Sequence, residues 1–290
     1  MPDKPTVAMG LLSGCFGCLT SFLNIGNELP ELLEKIDLRR TPFNDLKELE
    51  PVTVGILEGA VATDENEKLA HEMREKADIL VALGTCSCFG GIGGLRNLEP
   101  VAMVLDNVYD QKIPDDSDLP TLLPKVRSLE SVVKVDVTVR GCPPKAEDIL
   151  LTLNAIISGE SLKEHSRNLC NECPRSKESI MISQKAFLTE GVRSVMELET
   201  IDSERCFLEQ GILCAGLVTV EGCGARCTTN NMPCRGCYGP ASGVHGQGNK
   251  FVNAVSCLLP AGGIMFQEDI VGTGYRFSLA ADTHFNNREE

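Results

Sequence analysis

The 290-residue sequence predicts an α/β fold with a parallel sheet, followed by a small, irregular domain built around metal. Three observations carry this prediction. Apolar strand-like runs alternate with helical patterns through the first half. Those runs are continuous rather than alternating, as in strands covered on both faces. The chain also holds 14 Cys, eight of them between residues 170 and 237, where the alternation has stopped. Domain limits at 1–160 and 161–290 result, with the change of character around Ser158–Arg167.

Taken in order, Thr6–Leu12 reads as the first strand, ending in Ser13-Gly14, and Leu19–Ile36 as one helix with acids and Lys35 on its polar face. Val52–Glu58 is a second buried strand. Asp64–Ala77 is a helix with an Asp N-cap and acids in its first turn, where the helix dipole favours them. Asp78–Leu83 is a third strand and Val132–Val139 a fourth. Pro143-Pro144 opens a helix over Lys145–Ile157, with Pro at the first helical position. Asp106–Leu123 reads as a surface excursion, and Gly262–Leu279 holds strand-like stretches without an assigned place.

Composition excludes several functions. The formal net charge is −14 and the pI about 4.8, so a basic nucleic-acid-binding face is not expected. Aromatics make up 4% with no Trp, which argues against a base-stacking platform. The longest apolar stretch, near Ala254–Phe266, is broken by Pro260, Gly262 and Gly263, too short for the roughly 20 residues a bilayer needs. No secretory or twin-arginine leader precedes the first strand, so the expectation is a cytoplasmic chain with no membrane contact. No phosphate-binding or dinucleotide glycine fingerprint is present, and no Cys-x-x-Cys precedes a His.

In a reducing compartment a Cys-rich chain of this size points to metal rather than disulfides. Cys15 and Cys18 come after the first strand, Cys86 after the third and Cys142 after the fourth. Parallel strands end at one edge of a sheet, so four thiols distant in sequence can meet there. Four thiolates suit zinc or an iron–sulfur cluster. The glycines at 14, 17, 84, 90, 91 and 141, with helix N-termini after Cys18 and Cys142, offer N–H donors to cluster sulfurs and favour the cluster. Cys88 competes with Cys86, which its Gly-Thr-Cys setting favours; Cys88 and Cys257 otherwise read as small buried apolar residues. Further on, Cys170, Cys173, Cys206 and Cys214, then Cys223, Cys227, Cys234 and Cys237, make two four-ligand sets in chain order, and ligands could also be exchanged between them.

The segments Gly14-Cys15-Phe16-Gly17-Cys18-Leu19-Thr20-Ser21-Phe22, Glu58-Gly59-Ala60-Val61, Gly84-Thr85-Cys86 and Gly141-Cys142-Pro143-Pro144 together resemble the small subunit of NiFe hydrogenases. The related quinone-reductase subunit with a single cluster shares their order, but would not need the eight later Cys. The resemblance implies a flavodoxin-like, doubly wound domain and then a cluster domain. It implies a proximal 4Fe–4S cluster on Cys15, Cys18, Cys86 and Cys142, facing a separate large subunit that carries the nickel–iron centre. The Cys-rich block resembles the region of the medial and distal clusters. Four Cys where many relatives have three at the medial site (Cys223, Cys227, Cys234, Cys237), and Cys170 where many use His at the distal one (Cys170, Cys173, Cys206, Cys214), imply three 4Fe–4S clusters on twelve Cys, with no nickel in this chain. The all-Cys set resembles the cytoplasmic methanogen-type subgroup. That implies a methyl-viologen-reducing complex with a further electron-transfer subunit and heterodisulfide reductase, or the deazaflavin-reducing cousin. Glu58, in the segment that resembles the family's proton path, is a candidate proton relay; a strand-end acid accepting N–H bonds is the plainer reading. A zinc-stabilised interaction module and a single-cluster quinone-reductase-type subunit are the competing functions.

Overall fold

The computed structural model describes residues 4–109, 118–162, 165–177, 192, 195–197, 200–244, 246–258 and 269–282. The chain splits into two compact units, one covering Met1–Lys163 with Phe277–Ala281, the other Glu164–Arg276.

In the first unit, β1 (Thr6–Leu11), β2 (Asp37–Leu38), β3 (Val52–Glu58), β5 (Ala77–Leu83) and β7 (Val137–Val139) form a five-stranded sheet in the order β2-β1-β3-β5-β7. Every pairing is parallel. Counting only these strands, the order is that of the flavodoxin-like doubly wound fold, in which ligands sit beyond the carboxyl ends of the strands. A separate antiparallel pair joins β4 (Val61–Thr63) to β6 (Leu122–Arg127).

Pleating sends successive side chains to opposite faces. Val7, Met9, Val54, Ile56, Val81, Leu83 and Val139 pack on one face with Leu19 and Phe22 of α1 (Gly17–Leu23), Leu32 of α2 (Glu28–Lys35) and Ile149 and Leu153. Ala8, Leu57, Leu80 and Ala82 face the other way, against Ala70 and Met73 of α3 (Asp64–Lys76) and Cys88 of α4 (Gly84–Phe89). The parallel α/β sheet covered on both sides is therefore the observed fold. Helices α5 (Val101–Tyr109) and α6 (Ala146–Ser158) complete the unit, the latter supplying Ile149 and Leu153.

Several local expectations give way. The single helix over Leu19–Ile36 is two, separated where Gly26 takes φ 81°. The N-cap of α3 is Thr63, whose Oγ1 accepts from Asn66 N at 3.2 Å; Asp64 instead accepts from Glu65 N and Thr121 N. The fourth strand is only Val137–Val139, because Leu129–Ser131 forms a 3₁₀ turn and Asp136 turns its carboxylate back to Leu80 N, 2.9 Å away. Neither proline opens α6: Lys145 is its extended N-cap, and Pro144 O accepts from Ser21 Oγ at 2.6 Å. Within the supposed surface excursion, α5 runs to Tyr109 and β6 starts at Leu122, while 110–117 lie outside the described residues.

The second unit is held by loops, short 3₁₀ turns and the helices Arg226–Thr229, Gln247–Ser256 and Ile270–Gly274. Its core gathers Leu169, Phe207, Ile212, Val218, Phe251 and Val255 with Cys214 and Cys234. In the C-terminal stretch read as strand-like, 262–268 lie outside the described residues; beyond them come the helix Ile270–Gly274 and a 3₁₀ turn at Leu279–Ala281.

Candidate metal centres

At the carboxyl edge of the sheet the register places Leu11 opposite Glu58, Glu58 opposite Leu83 and Leu83 opposite Val139. Strands that end in one row deliver their succeeding turns to one place. Cys15 comes four residues after Leu11, Cys86 three after Leu83 and Cys142 three after Val139. Backbone bonds lock these turns together. Thr85 N donates to Gly141 O at 2.9 Å, and Gly141 N to Thr85 Oγ1 at 3.2 Å.

The thiols feel one another. Burial pushes the Cys18 thiol far up, and the charges of Glu58, Cys86, Cys142 and Cys15 add to it. Cys86 is pushed up to about 11 by burial, then by Cys142, Cys15 and Glu58, against a lowering N–H bond from Ile92. Burial raises Cys142 as well, with Cys15 and Glu58 behind it. Thiols raised this way stay protonated unless a cation stabilises the thiolate, which is the ligating form.

Two glycines shape the cradle. At Gly84 (φ +83°) a Cβ would stand 2.2 Å from Cys18 Sγ, and at Gly91 (φ +58°) 2.4 Å from Cys86 Sγ. The sulfurs fill the space a side chain would need, and the positive φ suits glycine. Cys88 lies elsewhere, 4% exposed in the opposite core with its thiol near Ala82 O at 3.6 Å; burial lifts it to about 12. Cys86, not Cys88, faces the other thiols. Cys257 corrects its expectation: it is exposed at the end of the helix Gln247–Ser256.

Glu58 is 2% exposed. Its carboxylate accepts from Cys18 N at 3.3 Å and Leu19 N at 2.8 Å, so the first N–H groups of α1 are satisfied by Glu58. The positive end of α1 is thus directed at this carboxylate, whereas the sequence pattern leaves it free for a cluster.

In the second unit Cys170, Cys173, Cys206 and Cys214 line one small open cavity of about 20 Å³, together with Arg175, Lys177, Phe207 and Gly216. Burial raises Cys170; Lys177 works against it, while Cys206 and Cys173 add to it. Cys214 is lifted to about 12 by burial, moderated by N–H bonds from Gly216 and Cys234, the latter at 3.3 Å. Arg175, 4% exposed, lies over the Phe207 ring at 3.8 Å and donates to Thr228 O, Asp202 O and Arg205 O. Neither cation carries a periodic signal; the only trace in sequence is Cys173-Pro174-Arg175.

The remaining four Cys group in pairs. Cys223 is raised by burial, lowered by the Ala225 N–H, and raised again by Glu172 and, more weakly, Cys227. Cys234 is raised by burial, then by Cys214 and, more weakly, Cys237; Gly236 N donates to its sulfur at 3.4 Å. Cys234 thus sits against a thiol of the neighbouring set.

This donor set fits an iron–sulfur cluster. Thiols dominate, backbone N–H groups point at sulfur, and glycines let sulfur approach the chain. Cys170, Cys173, Cys206 and Cys214 share one pocket.

Comparison with known proteins agrees with this geometry. Residues 15–156 match the family model for the NADH ubiquinone oxidoreductase 20 kDa subunit. Over 94% of both chains the sequence is 36% identical to the vhu G subunit of the F420-non-reducing hydrogenase of Methanocaldococcus jannaschii. It is 32% identical to the F420-non-reducing hydrogenase G subunit of Methanothermobacter marburgensis, over 97% of this chain and 96% of the relative. A chain from the crystal structure of an NAD+-reducing [NiFe]-hydrogenase in the H2-reduced state superposes with a TM-score of 0.54 at 34% identity, covering 56% of this chain and 96% of that one. With the sheet, the convergent thiols and the full-length likeness in hand, the chain belongs to the family of F420-non-reducing hydrogenase G subunits and is an oxidoreductase subunit of a hydrogenase.

Proposed function

We propose that this subunit conducts electrons through three 4Fe–4S clusters between a nickel–iron large subunit, where hydrogen is cleaved, and a further redox subunit linked to heterodisulfide reductase, in the cytoplasm. The proximal cluster is held in the domain 1–160 by Cys15, Cys18, Cys86 and Cys142. The other two lie in 161–290, the medial on Cys223, Cys227, Cys234 and Cys237, the distal on Cys170, Cys173, Cys206 and Cys214.

The observation that supports this reading best is that Cys170, Cys173, Cys206 and Cys214 line one pocket, a second four-Cys group besides the one at the sheet edge. A single-cluster subunit has no use for a second four-Cys group. Bound clusters supply one-electron redox chemistry. The chain's own part is to hold them apart from water and donate N–H bonds to ligand sulfur, as Ile92, Gly216, Ala225 and Gly236 do.

Iron and acid-labile sulfide analysis of anaerobically purified protein tests the reading. About twelve of each per chain is expected for three cubanes. About four of each would leave the single-cluster alternative, and a colourless zinc protein would end the proposal. Co-purification of a nickel-containing subunit tests the large-subunit partner.

A further inference from the structure

The two residues between Cys170 and Cys173 both reach into the loop that bears Cys223. Glu172 accepts from Gly222 N at 2.8 Å through Oε1 and from Gly224 N at 3.0 Å through Oε2, so its carboxylate brackets Cys223 on both sides. Gly222 (φ +117°) and Gly224 (φ +69°) give this loop a left-handed path. Beside it, Asn171 Nδ2 donates to Glu221 Oε2 at 2.9 Å, and Glu221 N donates to Arg167 O at 3.0 Å. The turn is anchored in its own right: Glu172 N and Cys173 N donate to Leu169 O at 3.0 and 3.1 Å. One short motif thus presents its thiols to the distal cavity and its intervening side chains to a ligand loop of the other set.

We propose that Glu172 is a positioning residue for Cys223, which fixes the ligand loop through two N–H bonds and places a negative charge beside the cluster that Cys223 serves, holding that cluster's potential down. The inference rests on the reading of Cys223 as an iron ligand. Two bonds from one carboxylate to N–H groups flanking a single residue leave that residue little freedom. Hydrogen bonds with an ionised acceptor are about twice as strong as neutral ones. Charge and hydrogen bonding near the sulfurs are among the main determinants of cluster potential. A carboxylate held beside Cys223 by two N–H bonds disfavours the more negative, reduced state of a cluster there.

The test compares full-length, iron-loaded wild-type protein with Glu172→Gln, Glu172→Ala and Asn171→Ala, by iron and sulfide content and by redox titration monitored by electron paramagnetic resonance. Glu172→Gln removes the charge and keeps one of the two N–H bonds, because its amide nitrogen cannot accept. It should retain all iron while one cluster, and only one, becomes easier to reduce. Its ratio of reduced to oxidised forms at a fixed poise should rise about tenfold, or about 59 mV for one electron. Glu172→Ala frees the loop and should lose about a third of the iron. Asn171→Ala removes a neighbouring bond without changing charge and should leave every potential in place. A Glu172→Gln protein with wild-type potentials at all clusters overturns the inference alone, as does an equal shift in Asn171→Ala. Wild-type protein lacking iron overturns the functional reading and this inference with it.

Discussion

At Glu58 one carboxylate closes β3 and caps α1, and its burial makes both roles sensitive to substitution. Glu58→Ala leaves the N–H groups of Cys18 and Leu19 buried without an acceptor, a loss of about 1–3 kcal/mol in denaturant unfolding. Glu58→Gln keeps most of the shape but removes a charge felt by Cys18, Cys86 and Cys142. On the proposed reading, the cluster held at this edge should titrate at a more positive potential in a redox titration. A residue acting solely as a proton relay would slow hydrogen–deuterium exchange activity in this variant and leave the potential unchanged. Arg175 poses a different problem, because a buried guanidinium joins three backbone carbonyls and an aromatic face. Arg175→Met should destabilise the second unit by about 2–4 kcal/mol, read as a lower denaturant midpoint at unchanged slope.

Among the elements, α3 begins at a hydroxyl cap, and Thr63→Ala should lower stability by about 1 kcal/mol in thermal unfolding, with the sheet intact. Asp136 ties the approach to β7 onto β5 and α3. Burial pushes its carboxyl up, but the Leu80 N–H, then Arg74 and Lys134, outweigh this and hold it below the usual carboxylate range. A depressed carboxyl stabilises the fold above its unfolded pKa, and the contribution fades as pH falls through the folded value. Asp136→Asn should therefore be less stable than wild type at neutral pH and converge with it in acid, below the ordinary Asp range; parallel curves at every pH would contradict this. Element by element, legibility tracks local chemistry. Val52–Glu58 is observed at the limits read from sequence because a continuous apolar run leaves one solution. The fourth strand shrinks because Asp136 satisfies a neighbouring strand with its side chain, which no hydrophobic pattern records. Cys15, Cys18, Cys86 and Cys142 could be expected at one edge because parallel topology brings strand ends together. Glu172 and Arg175 could not, since they act through loops without a period.

For the whole chain, the two units differ in what holds them. The first has cores on both faces of a sheet. The second draws Cys214 and Cys234 into its core and has few regular elements, so on the proposed reading its folding should depend on its clusters. Stripping iron with a chelator should expose 164–276 to proteolysis and rapid hydrogen exchange while 4–162 keeps its far-ultraviolet signature; equal loss in both units would contradict this. Among the described residues no helix is long and apolar enough to cross a membrane.

The level row of Leu11, Glu58, Leu83 and Val139 makes this chain sensitive to changes in strand length. Deleting one residue within β5 would draw its terminus back by about 3.3 Å and exchange its two faces. Cys86 would then fall short of its companions, with a wrong side chain pointing into each core. Insertions and deletions should therefore do less harm at the opposite rim and in the crossovers, and iron content across a library of single-codon deletions should show that asymmetry directly.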